Sequence, residues 1–155
     1  MTYSRPDLRL NHQDIAIAYF LLRILIGVNF LNHGLTRIGN IPGFVDSMVK
    51  AMEASYFPEP LVRINAFLVP IIELIVGVLI TLGWRTRSAL AVTAALMVIL
   101  MLGVTSVQNW DAAGSQLVYG LILFVLLACC SFNTVSVDHW LKGRSAADSK
   151  SAPVD

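Results

Sequence analysis

Four long apolar runs constrain this chain more than any other feature in it. They cover about residues 15–35, 61–84, 88–110 and 115–135. Each is long enough to cross ~30 Å of hydrocarbon as an α-helix of about 20 residues. Only 14% of the 155 residues are charged, against about 25% in an average soluble domain. The fold expected is therefore all-α, an integral membrane four-helix bundle lying in a lipid bilayer. The same figures exclude disorder, a coiled coil and collagen, and a net charge of +1 gives no electrostatic pull on nucleic acid. One membrane domain should span residues 1–142. The Ser/Ala/Asp/Lys-rich stretch 143–155 should be a disordered cytoplasmic tail.

The first run is read as an uncleaved span and not as a signal peptide. It is too long, and it ends in Asn32, His33 and Gly34, not in a small-residue cleavage site. Lys and Arg set the orientation. Arg5, Arg9, Arg85, Arg87, Lys142, Arg144 and Lys150 fall on one side, and only Arg37, Lys50 and Arg63 on the other. Both termini should then face the cytoplasm, in a bacterial inner (cytoplasmic) membrane. The first outer loop, IPGFVDSMVKAMEASYFPEP (41–60), has its own pattern. Ile41, Phe44, Val45, Met48, Val49, Met52 and Tyr56 follow helical spacing, with Asp46, Ser47, Lys50 and Glu53 opposite. Pro42 suits a helix start, and Pro58 and Pro60 suit its stop. Most helices of this kind rest among headgroups as interfacial helices. The alternative is a lid folded over the bundle.

Polar residues inside the spans are costly and so informative. Arg23 and Glu73 sit deep in spans one and two, at matched depth when counted from the inner ends. An Arg23–Glu73 pair is therefore expected, as a structural clamp or as a proton- or electron-coupled site. Nearer the outer face, Asn29 and His33 are i, i+4 neighbours on span one. Asn65 and Arg63 lie on span two, Thr105, Ser106, Gln108 and Asn109 on span three, and Gln116 and Tyr119 on span four. Together they suggest a cavity opening outward, with the amphipathic loop as its roof. Gln108, Asn109, Trp110 and Gln116 are read as ordinary span-end polarity. No metal site is expected. Zinc needs three or four ligands, and His12 and His139 lie in the tails, too far from His33 for a bis-His haem. The adjacent Cys129 and Cys130 read as small core residues, so no haem, zinc or iron–sulfur centre follows from this chain alone. Gly27, Gly34 and Gly77 suit close helix packing.

RILIGVNFLNHGLTR (23–37), ELIVGVLITLGWRTRSAL (73–90) and SVDHWL (136–141) together resemble the signature segments of DoxX-like membrane proteins. Arg23, Gly27, His33, Gly34, Arg37, Glu73, Gly77 and Arg85 carry the resemblance, which covers about residues 15–142. The family's basic residue after His-Gly is often Lys. Here it is Arg37, which stays charged and cannot pass on a proton. The resemblance implies a four-helix bundle and a membrane oxidoreductase subunit. One branch is the small subunit of thiosulfate:quinone oxidoreductase. Another joins membrane complexes with superoxide dismutase and a sulfurtransferase against oxidative stress.

The function expected is thus a component of a membrane-bound oxidoreductase system, with a quinone as cofactor and a partner subunit or a second copy of the chain as partner. Glu73, His33 and Arg23 would be the catalytic residues. Asn29, His33, Asn65 and Tyr119 would bind the quinone head, with Phe30 and Phe67 flanking its ring. Arg37 and Arg63 would receive an anionic substrate at the outer mouth. The alternatives are a non-catalytic membrane anchor or assembly subunit of a redox complex, and a small oligomeric transporter.

Overall fold

The computed structural model describes residues 11–151. Six helices run in chain order: α1 (His12–Ile38), α2 (Ile41–Ala51), α3 (Glu59–Leu82), α4 (Thr86–Ser106), α5 (Trp110–Ala128) and α6 (Val137–Ser151). A short 3-10 turn, Cys130–Phe132, follows α5. Four of them, α1, α3, α4 and α5, are long and apolar enough to cross a membrane. Their number brings the start of α1 and the end of α5 to one end of the bundle, called here the terminal end. The helix α2 lies at the other. The chain is a multi-pass membrane protein, and Arg5 and Arg9 lie outside the described residues.

The helix ends follow local chemistry. The Asn11 side chain accepts from the Gln13 N–H and starts α1. Asn40 does the same for Gly43 in α2, and Asn109 for Ala112 in α5. Pro58 and Pro60 begin α3, with Pro58 at the cap and Pro60 in the first turn. The prolines expected to stop the loop helix thus start the next one, and α2 ends earlier, at Ala51.

Helices in lipid gain little from the hydrophobic effect, so close packing and polar contacts must join them. The tightest pairing is α1 against α3. Gly27 faces Thr81, Gly77 faces the backbone of Leu31, and Gly34 faces the backbone of Leu74. A Cβ on Gly34 would stand 2.5 Å from the Leu74 nitrogen. This antiparallel register sets everything that follows. It brings Arg23 against Gly83 at the terminal end of α3, and it leaves the far end of α1 level with the middle of α3.

Arg23 therefore does not meet Glu73, as the matched-depth count expects. It is 1% exposed. Its guanidinium donates to the carbonyls of Ile80 (2.5 Å), Thr81 (2.7 Å) and Val135 (2.8 Å). Counting depth from each span's own inner end assumes that those ends are level. In the structure α1 reaches well past the end of α3. Ile80 and Thr81 lie in the last turn of α3, where a helix C-terminus leaves carbonyls short of donors, and the dipole there favours a cation.

The fourth span also departs from expectation. It ends at Ala128, not near residue 135, and the chain folds back beneath the bundle. Asn133 Nδ2 donates to Thr86 Oγ1 (2.9 Å). The Asp138 carboxylate accepts from the N–H groups of Arg85 (2.7 Å) and Thr86 (2.8 Å), and the Asp138 N–H donates to the Gly83 carbonyl (3.0 Å). Arg85 sits at φ 46 with no side-chain cap of its own, so Asp138 caps α4 from another helix. Helix α6 then continues to Ser151, where an unstructured tail is expected.

Burial works against the Asp138 charge, but the N–H groups of Thr86 and Arg85 outweigh it and hold the carboxyl below its ordinary 3.8. Its contribution is complete above that value and fades as pH falls through the lowered one. Asp138→Asn should cost about 1 kcal/mol at neutral pH, as a lost helix cap does. Thermal unfolding at pH 7 and at pH 3 checks this: the gap between wild type and variant should narrow in acid.

Candidate functional site

Glu73 lies near mid-height on α3, about 21 Å from the helix start and about 14 Å from its end at 1.5 Å per residue. A lone carboxylate there would be expensive. The register supplies its partner. Because Gly34 packs on Leu74, the last turn of α1 brings Arg37 to Glu73, with Arg37 Nη1 2.5 Å from Glu73 Oε2. The carboxylate side chain is 5% exposed and the guanidinium side chain 27%. Arg37 is thus sunk into the bundle and not at an outer mouth. Phe44 of α2 covers the guanidinium, its ring centroid 4.9 Å away.

The pair borders a cavity of about 470 Å³ between α1, α3, α4 and α5, within the ~300–1,000 Å³ of small-molecule sites. Its walls are mainly apolar. Phe30, Val69, Met97 and Leu100 line it, and Phe44 and Met48 of α2, with Met52 just after it, close it above. Of the two placements open to the amphipathic loop helix, the structure shows the lid. Arg63 fastens this lid. It lies outside the cavity, exposed, and its Nη1 and Nε reach Asp46 of α2 (3.1 Å) and Glu59 (2.8 Å).

Five of the expected site residues beside Glu73 and Arg37 can be placed directly. Asn29, His33, Asn65 and Tyr119 all line the cavity. Arg23 does not; it is committed to backbone carbonyls at the terminal end. Phe30 is in the wall, its ring 6.2 Å from that of Tyr119. Phe67 is half exposed on the outside of α3 and flanks nothing in the cavity.

Gln116, which reads from sequence as ordinary span-end polarity, lies in the cavity wall instead. Its Oε1 is buried without a hydrogen-bond partner, as is Asn29 Nδ2. Buried polar atoms are rarely left so, and one acceptor and one donor here await a ligand or water. Asn109 caps α5, while Thr105 and Ser106 bond back to their own helix. One further feature escaped sequence reasoning. It is Pro70, buried inside α3, whose missing N–H deprives the Ala66 carbonyl of its usual donor beside the cavity. Among the described residues no three of His, Cys, Asp and Glu converge, so the groups on offer for a ligand are amides, an imidazole, a phenol and the ion pair.

No curated protein and no solved structure matches the chain. The DoxX family profile matches residues 18–110, from the first helix through the start of α5, including Arg23, His33, Arg37 and Glu73. The match covers more than half of the chain, which belongs to the DoxX family.

Proposed function

We propose that this DoxX protein is a component of a membrane-bound oxidoreductase system and that its cavity binds the head group of a quinone. The observation that carries the reading is the pairing of an apolar, lidded cavity with a small set of unmet polar atoms, Asn29 Nδ2 and Gln116 Oε1. A bound quinone would supply a couple of two electrons and two protons. Asn29 Nδ2 can donate to one of its carbonyls, and His33 or Tyr119 to the other. Phe30 offers an apolar face to the ring. Arg37 gives Glu73 an ion-pair partner beside the cavity, and the lid excludes water. Arg63 is taken up by Asp46 and Glu59, so a role in receiving an anionic substrate has lost its support.

In this reading both termini are cytoplasmic and the membrane is a bacterial inner membrane. Arg85, Arg87, Lys142 and Arg144 at the terminal end support it, against Lys50 and Arg63 at the lid end. A second reading, a non-catalytic anchor for a redox complex, has its own observation. Arg23, Gly27, Gly34, Gly77 and Asp138 are all absorbed in holding the bundle together.

Equilibrium binding of a decyl-chain benzoquinone to the detergent-solubilised protein tests the choice. His33→Gln should weaken binding about tenfold, the effect of one lost hydrogen bond of ~1.4 kcal/mol, with no change in thermal midpoint. A wild-type protein that binds no quinone, while retaining a partner polypeptide through purification, would decide for the anchor.

A further inference from the structure

The cavity has an open side, and its rim tells where a ligand comes from. At the lid end the cavity is closed by Phe44, Met48, Met52 and Phe57, none of them exposed. Toward the terminal end the bundle core is sealed by Ile80, Leu90, Leu123 and Leu126, each 0–1% exposed. Among the residues lining the cavity only three are exposed: Leu61 (49%), Ile99 (46%) and Leu102 (50%). All three are apolar, one on α3 and two on α4, and all lie within membrane-spanning helices. No polar residue of the lining is exposed. An opening onto water would carry a polar rim; this rim matches hydrocarbon.

Two further features widen the same place. A short turn joins α3 to α4 at the terminal end, and no loop ties their lid ends to each other. Gly103 on α4 also lines the cavity, and a Cβ built there would meet only the Met52 side chain, at 3.5 Å and 4.0 Å. The wall of α4 is thinned beside the rim.

We propose that the cavity is loaded sideways from the bilayer, between α3 and α4, by an amphiphile. Its hydrogen-bonding head reaches Asn29 and Gln116, and its apolar chain stays in the gap bounded by Leu61, Ile99 and Leu102. This rests on the reading of the cavity as the site of a lipid-soluble ligand. It adds the route and the requirement for a chain. A chain left among lipid tails keeps its apolar surface out of water while the head satisfies buried polar atoms. A membrane quinone and a bilayer phospholipid share this chemistry.

The test uses Val69→Cys, a buried cavity residue, in a protein with Cys129→Ser and Cys130→Ser, reconstituted into phosphatidylcholine–phosphatidylglycerol vesicles. A dodecyl-chain maleimide confined to the bilayer should label it faster than a charged methanethiosulfonate in water. Ile99→Trp or Leu102→Trp at the rim should slow the bilayer reagent about tenfold. Val98→Trp, one residue along on the lipid face and outside the cavity lining, should not. Faster labelling from water, or no effect of either rim variant, overturns the proposal. A decyl-chain benzoquinone should protect the cysteine where a tailless benzoquinone at equal concentration does not. Equal protection by both overturns the chain requirement. Protection by neither, with the rim effect intact, identifies the occupant as a bilayer lipid; the sideways route then stands and the quinone reading falls.

Discussion

Arg23→Met should destabilise the bundle by about 2–6 kcal/mol, the cost of leaving buried carbonyls unmet at ~1–3 kcal/mol each. Arg23 is 1% exposed and holds three carbonyls, of Ile80, Thr81 and Val135. Two belong to the last turn of α3, and the third to the segment that folds back beneath the bundle. Met fills similar volume but donates nothing, so the Thr81 and Val135 carbonyls lose their donor at once, while Ile80 keeps the Gly83 N–H. Arg23→Lys should recover part of the loss, since an ammonium lacks the planar fork that reaches two helices together. Thermal unfolding in mild detergent measures both. A Met variant as stable as wild type would contradict this role. Glu73→Gln provides a second check. If Arg23 and Glu73 acted as one pair, their substitutions would be strongly non-additive. With separate partners and no shared contact, the two effects should add to within about 0.5 kcal/mol.

Gly77→Val is the second large effect. The added Cβ would collide with the Leu31 backbone nitrogen, and would stand 2.6 Å from its Cα and 2.9 Å from its Cβ. Backbone atoms cannot swing aside as the end of a side chain can, so α1 and α3 must separate. Overpacking of this kind costs about 1–3 kcal/mol and sometimes more. Here the separation also draws Arg37 away from Glu73, one helix turn beyond Gly34. The expected result is a protein that no longer elutes as a single folded species on size exclusion. Gly120→Val is the control. It lies on α5 with no heavy atom within 4 Å of a built Cβ, and it should behave as wild type apart from a gain of ~0.3 kcal/mol in helix propensity. A folded Gly77→Val protein with wild-type stability would mean that the glycine contact does not set the register.

The four spans were legible because a period-free apolar run of some twenty residues has one reading in lipid. Asn29, His33, Asn65 and Tyr119 were legible as a set because each stands a turn or more inside a span, where polarity needs a reason. The ion pair was not. Gly27, Gly34 and Gly77 announced close packing of α1 on α3, but apolar helices can slide past one another in steps of a turn. Only the three-dimensional fit of Gly34 on Leu74 chooses Arg37 for Glu73 and leaves Arg23 to the carbonyls. The end of the fourth span was missed for a different reason. Cys129 to Val135 is apolar enough to continue a helix, and the sign of a break is the Asn133–Thr134 pair. Asn133 reaches Thr86 on another helix, a contact that no local pattern encodes. The SVDHWL segment (136–141) carries no role in its sequence alone. Its role is to cap α4 through Asp138. The lid was half legible: spacing showed which face of α2 is apolar, and only the fold shows that Phe44 and Met48 of that face cover the cavity.

In the proposed function, the lidded cavity around Arg37 and Glu73 holds a quinone. This is tested most directly by purifying the full chain from its native membrane in mild detergent, extracting the lipids and identifying by mass spectrometry what has stayed bound. The account predicts a quinone at about one per chain, lost when His33→Gln is purified in the same way, with the fold intact. A wild-type protein that carries no quinone, or that brings down only a partner polypeptide, would contradict it and leave the cavity to another ligand.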